Sequence, residues 1–258
     1  MSAPVLVTGG AGLLGSTLLT TAPAGSPVHA TWRRSPVAGA TAHRVELSDP
    51  AAVRDLMGRV RPGLVVHTAY GKHDGERDIA AASRSVAAAT AAVGADLVHL
   101  SSDVVFDGEY APYAETDAPA PISQYGRWKH TAEREVLRLV PEAAVVRTSL
   151  ILAPLRPDPT TAWIVDAIQA GRGVDLFVDQ LRCPIAVEDL AGQLWELAGL
   201  PTSDRAPASG ISSDPKRSAA TPSACCWPGS WGCPLTGFAP GTAVRAPAPL
   251  SRDREICA

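Results

Sequence analysis

Charge, cysteine and long apolar runs are all scarce in this sequence. No stretch approaches the roughly 20 apolar residues that a membrane-spanning helix needs. Charged residues make up 19% of the 258 positions and the formal net charge is −3. With no basic block, neither nucleic acid nor an anionic membrane is an expected partner. The start, MSAPVLVTGG, has no basic segment ahead of an apolar one and passes straight into a strand and turn, so a cytoplasmic location is expected. Cysteine is sparse and odd in number: of five, Cys183 stands in the main body while Cys225, Cys226, Cys233 and Cys257 crowd the end. That spacing supports neither a disulfide framework nor a zinc ribbon, and no metal is expected. Apolar residues reach 46%, enough for a real core in one α/β domain with a small second lobe.

What is present is alternation. The runs 4–8, 27–32, 43–47, 64–69, 96–102 and 143–149 are short and β-branched and read as buried strands. Between them, residues 12–22, 50–60, 77–93 and 124–140 read as helices, with Asp49 suited to an N-cap and Pro50 to the first helical position. Strand–helix alternation implies a doubly wound parallel sheet covered on both faces. We expect a dinucleotide-binding domain over 1–150 and a partial substrate lobe over 151–206, with helices near 158–171 and 187–200 and a short strand at 183–187. From 207 to 258 no period survives and prolines accumulate, so that segment is expected to be irregular. Its composition resembles a GC-rich reading frame translated out of register.

The first strand leads into TGGAGLLG (8–15) and then a helix. Gly9 suits the tight turn, Gly12 lets the backbone approach a pyrophosphate, and Gly15 lets the helix pack closely on the sheet. The helix start adds N–H groups and a positive dipole end. A glycine turn needed only for packing is the plainer reading. Roughly 20 residues on, where an acidic residue would receive an adenosine 2′-hydroxyl, the sequence has Arg33 and Arg34. Guanidinium groups there favour a 2′-phosphate, hence NADPH over NADH, unless the two arginines are merely solvated.

Two further stretches carry chemistry. HLSSDVVFDG (99–108) closes the fifth strand, and QYGRWKH (124–130) opens a helix that sets Tyr125 and Lys129 on one face. Reduction of a carbonyl leaves negative charge on oxygen that must be met by a proton. A tyrosine beside an ammonium can supply it, and a serine hydroxyl can hold the same oxygen. A surface tyrosine with a solvated lysine is the plainer alternative. The other histidines, His67, His99 and His130, read as packing or surface residues. Glu46 and Asp49 lie where adenine would pass, though Asp49 serves equally as a helix cap. Arg147 and Arg182 suit either a diphosphate or structural ion pairs, and Asp103 suits local ordering of the serine loop.

Taken together, VTGGAGLLG (7–15), SSDVVFDG (101–108), YGRWK (125–129), VRTSLI (146–151) and CPIAVEDLA (183–191) resemble an extended short-chain dehydrogenase/reductase, and within that group the dTDP-4-dehydrorhamnose reductase family. The resemblance implies a Rossmann-type domain and NADPH-dependent reduction of a nucleotide-linked 4-keto-6-deoxysugar, a small-molecule partner, with a homodimer allowed. It assigns Ser102 to polarising the carbonyl, Tyr125 to proton donation, and Lys129 to tuning Tyr125 and holding the nicotinamide ribose. Thr8, Gly9, Gly12, Leu13, Leu14 and Gly15 fall in the cofactor turn, and Ala69 and Tyr70 in the loop that passes the cofactor. Trp128 departs from the small residue common in the family. Some relatives are non-catalytic NADP(H)-binding subunits, such as the regulatory subunit of methionine adenosyltransferase. That reading, or an inactive truncated relative, is the alternative to the enzyme.

Overall fold

The structure, a computed structural model, describes residues 3–71, 74–153, 158, 161–175 and 182–201. The expectations for 207–258, and with them Cys225, Cys226, Cys233 and Cys257, lie outside the described residues. Six strands form one parallel sheet: β1 (Val5–Thr8), β2 (Val28–Trp32), β3 (Thr41–Arg44), β4 (Leu64–His67), β5 (Asp96–Ser102) and β6 (Ala144–Thr148), in the order β3-β2-β1-β4-β5-β6. The reversal of direction lies between β1 and β4, the place where open α/β sheets bind ligands. In register, Val5 to Thr8 pair with Leu64 to His67, and these in turn pair with Asp96 to His99. The doubly wound Rossmann-type sheet is thus as expected.

Helices α1 (Leu13–Thr20), α2 (Pro50–Val60), α3 (Ala82–Val93), α4 (Gln124–Leu139) and α6 (Val187–Gly199) belong to the same compact unit as this sheet, and α5 (Ala162–Gln169) belongs to a second one. Leu6, Val65, Leu97 and Val145 share one core with Val53, Leu56, Met57, Val86 and Val136 of α2, α3 and α4. The alternating residues Val7, Val66 and Val98 are equally buried, so the other face is covered too. There α1 and α6 pack together, with Trp195 Nε1 donating to Thr21 Oγ1 at 3.3 Å.

Local chemistry fixes the helix ends. Asp49 Oδ1 accepts from the N–H groups of Ala51 and Ala52, and Pro50 opens α2. Most boundaries move from the sequence reading by a residue or more, and two of the differences have a clear cause. Strand β3 begins at Thr41 rather than His43, because pairing of His29 with Thr41 sets its register against β2. The helical run expected from 77 starts with one wide π-helical turn, Glu76–Ala81, before α3.

A second compact unit, Ser149–Ala186, holds a two-stranded parallel sheet of β7 (Ile151–Leu152) and β8 (Ile185–Ala186), and α5 (Ala162–Gln169). Within it the buried Asp158 accepts from Thr161 N at 3.0 Å and Ala153 N at 3.3 Å. Among the described residues no helix is long and apolar enough to cross a membrane, and no group of residues is arranged to hold a metal.

Candidate active site

The glycine turn is shaped by contact rather than by loop preference. Gly9 has φ +72°, and a Cβ there would sit 2.9 Å from Ala69 Cα. A Cβ on Gly15 would overlap the Gly9 carbonyl, and Gly12 N donates to that same carbonyl at 2.9 Å. Gly12 is the N-cap of α1 and brings no side chain to close the helix end. A cradle with no room for Cβ atoms, open at a helix start, fits a dinucleotide pyrophosphate. Thr8, Gly9, Gly12, Leu13, Leu14, Gly15 and Ala69 all belong to this turn or the loop against it.

Beneath the turn, Thr8 Oγ1 accepts from the N–H groups of Thr68 (3.1 Å) and Ala69 (3.2 Å). Its single proton is therefore left for His67 Nδ1 at 2.7 Å, which places the His67 proton on Nε2, 3.1 Å from Ser83 Oγ. His67 thus ties the end of β1 to α3 as a neutral imidazole. Burial agrees, pushing its pKa down to about 3, with the Lys129 charge adding to the effect. Its tilted neighbour His99 is likewise held neutral by burial. Among the described residues, the ring nitrogens of His99 and the Ser101 hydroxyl have no hydrogen-bond partner. Both histidines are core residues, as the sequence reading allowed, but His67 also supports the glycine turn through Thr8.

Ser102 closes β5, and Tyr125 and Lys129 stand on α4, which packs against β5 and the turn after it. Lys129 is 5% exposed and Nζ donates to Leu100 O at 3.0 Å, beside the Ser102 strand end. Burial lowers its pKa to about 8, with the Glu133 carboxylate opposing the fall. Tyr125 lies one turn earlier on α4, its ring 6.4 Å from that of Tyr70, and the Lys129 ammonium sits 5.5 Å over the Tyr70 ring. The start of α4 presses on the turn after Ser102, where a Cβ on Gly126 would overlap Val104 O. Ser102 Oγ reaches Asp103 Oδ1 at 3.3 Å, so Asp103 orders the serine loop locally. Trp128 covers Gly75, whose missing side chain makes the room it needs.

The end of β2 is more acidic in its surroundings than the local sequence suggests. Arg33 meets Asp78 through two bonds, Nη1–Oδ1 at 2.6 Å and Nη2–Oδ2 at 3.0 Å, and Glu46 lies 3.6 Å away. Arg77 Nε reaches Asp78 Oδ1 at 2.8 Å. The two guanidinium groups hold the Asp78 carboxyl at about 2. Arg34 is exposed and makes no ion pair among the described residues. The sequence reading missed Asp78 altogether, since nothing local marks it. Arg147 resolves to the structural option, a buried fork on Glu133 at 3.0 and 2.8 Å. Arg182 lies 3.3 Å from Ser149 Oγ in the second unit.

Comparison with known proteins follows the same lines. The family model described as the RmlD substrate binding domain matches residues 3–211. A Streptomyces niveus dTDP-4-keto-6-deoxy-D-glucose reductase is 32% identical over 203 residues, covering 74% of this chain and 67% of the relative. A Mycobacterium tuberculosis dTDP-4-dehydrorhamnose reductase is 36% identical over 210 residues, covering 75% and 65%. Rattus norvegicus methionine adenosyltransferase 2 subunit beta is 32% identical over 206 residues, covering 75% and 61%. The crystal structure of Bacillus anthracis dTDP-4-dehydrorhamnose reductase in complex with NADP superposes with a TM-score of 0.67 at 23% identity, covering 81% of this chain and 73% of that one, which shows the shared fold. The chain spans about two thirds of the length of its curated relatives. With its glycine cradle, its serine–tyrosine–lysine corner and a family model over most of its length, the chain belongs to the RmlD, dTDP-4-dehydrorhamnose reductase-like family of extended short-chain dehydrogenases/reductases.

Proposed function

We propose that the protein is an NADPH-dependent reductase of a nucleotide-linked 4-keto-6-deoxysugar, with residues 1–150 holding the cofactor and 151–206 contributing to the substrate lobe. The observation that carries this reading is the buried Lys129 ammonium, fixed on Leu100 O one helical turn from Tyr125 and beside the Ser102 strand end. Burying a lysine ammonium costs stability, whereas the same ammonium stabilises negative charge on a neighbouring phenol oxygen.

The Gly9, Gly12 and Gly15 cradle, with Thr8, Leu13 and Leu14, takes the pyrophosphate. Ala69, Tyr70 and Lys129 line the way to the nicotinamide ribose, and Arg34 with the remaining donors of Arg33 faces the 2′-phosphate. NADPH when bound supplies the hydride. Ser102 turns its hydroxyl from Asp103 to the substrate carbonyl oxygen and holds it. Tyr125 gives its proton to that oxygen as charge grows there, and Lys129 offsets the charge left on the phenolate.

The names of the Streptomyces and Mycobacterium relatives support the reductase class, and the adenosyltransferase beta subunit supports a binding subunit instead. Replacing Tyr125 by Phe separates them. For an enzyme, reduction of a dTDP-4-keto-6-deoxysugar slows by at least about a hundredfold, the scale of lost general acid catalysis, while NADPH binding stays within about twofold. Absence of turnover in the wild type with NADPH bound normally would favour the binding subunit.

A further inference from the structure

We propose that Asp78 limits how strongly the protein prefers a 2′-phosphorylated cofactor, by occupying both arms of Arg33 at the ribose end. The inference rests on the cofactor reading above and concerns one side chain that reading does not use. Arg33 directly follows β2, where the adenosine ribose of a Rossmann cofactor is received. Two of its five N–H donors are committed to Asp78 at 2.6 and 3.0 Å, and Glu46 stands 3.6 Å off.

The clamp is built into the fold. Asp78 is 6% exposed and enters from the π-helical turn Glu76–Ala81, its N–H donating to Asp74 O at 2.7 Å. A wide turn of this kind carries one residue more than an α-turn and re-aims its side chains. Across from it stands Gly71, where a Cβ would overlap the Asp78 carboxylate. Arg77 closes the other side at 2.8 Å. A buried carboxylate bound by two guanidinium groups is charge-assisted and does not let go without a replacement anion.

Charge bookkeeping then sets the direction. Arg33 and Arg77 are balanced by Asp78 and Glu46, with Asp74 3.9 Å from Arg77 as well, so the exposed Arg34 alone stands without an ion pair among the described residues to meet a phosphate that carries about −1.5 to −2. A 2′-phosphate also wants the same planar fork that Asp78 already fills. The 2′-hydroxyl of NADH is neutral and responds little to this balance. Asn at position 78 keeps the shape and a hydrogen bond to Arg33, removes one negative charge, and frees part of the fork.

The test is a fluorescence titration of the full chain with NADPH and, separately, NADH, for the wild type, D78N and the double variant R33Q/D78N. The expected result is a ratio of NADH to NADPH dissociation constants about tenfold higher in D78N, the scale of one unit charge acting across several ångströms in a partly solvated site. The rise comes from tighter NADPH binding and disappears in R33Q/D78N. A ratio that is unchanged or lower in folded D78N, or a gain that persists without Arg33, overturns the proposal. If D78N does not fold by circular dichroism, R33Q and R34Q decide. Loss of NADPH affinity is expected to be greater for R34Q, and the reverse order overturns the proposal. Binding of neither nucleotide by the wild type instead removes the cofactor reading itself.

Discussion

The buried histidine pair makes the protein acid-labile by an amount that can be worked out. His67 and His99 stand side by side on β4 and β5, both about 1% exposed. Each is held neutral by burial, His67 with a pKa of about 3 and His99 well below its ordinary value. In the unfolded chain both titrate near 6.5. Between pH 6.5 and about 3 the unfolded state therefore binds protons that the folded state refuses, so stability falls as pH drops through this window and is intact above it. The loss from pH 7 to pH 5 is about 2 kcal/mol for each histidine, or about 4 kcal/mol for the pair. Asp78, held at about 2, remains ionised throughout and adds its own loss only below about pH 4.

Urea unfolding at pH 7, 6 and 5 measures this directly, and a control variant isolates the cause. Both ring nitrogens of His99 lack a partner, so His99→Leu removes an unsatisfied group. The variant is expected to be neutral or about 1 kcal/mol more stable at pH 7. Its loss between pH 7 and 5 should shrink to about half of the wild-type value. Equal stability of the wild type at pH 5 and 7, or a full-sized loss retained in His99→Leu, would refute the reasoning. His67→Leu should behave differently, losing about 1–3 kcal/mol at pH 7, because it leaves the Thr8 and Ser83 hydroxyls without their shared partner.

Gly9→Ala forces an alanine into φ +72° with its Cβ against Ala69; it should cost roughly 1–3 kcal/mol of stability and at least tenfold in NADPH affinity, and an unaltered titration curve would contradict the cradle. Glu133→Gln leaves Arg147 buried without its anion and should destabilise by roughly 3–5 kcal/mol in thermal or urea unfolding. The same change removes the carboxylate that supports the Lys129 charge, so the alkaline limb of the pH–rate profile, expected near pH 8 in the wild type, should move to lower pH.

What could be read from sequence was what lies close together in it. Asp49 and Pro50 announce α2 because a cap and its helix are neighbours, and Tyr125 and Lys129 share a face because four residues make one helical turn. The glycine spacing was legible for the same reason, since strand, turn and helix are contiguous. Trp128 looked out of place only because Gly75, which makes room for it, lies 53 positions away. The start of β3 was misread because parallel pairing with β2, not the local run of β-branched residues, sets where that strand begins. The π-helical turn was hidden because Ala-rich helical composition does not reveal one extra residue in a turn.

The ribose end shows the consequence for function most plainly. Read along the chain, Arg33 and Arg34 present two uncompensated positive charges and a plain case for a 2′-phosphate. In the fold, β3 delivers Glu46 and the turn before α3 delivers Asp78 to the same spot, and both carboxylates turn on Arg33. These acidic groups come from 13 and 45 residues further on, so no local pattern could count them. The charge at this spot is therefore set jointly by the residue after β2, the loop after β3 and the entry to α3. If the proposed cofactor reading holds, cofactor preference becomes a property of that three-sided site, and a substitution in any one side should move it.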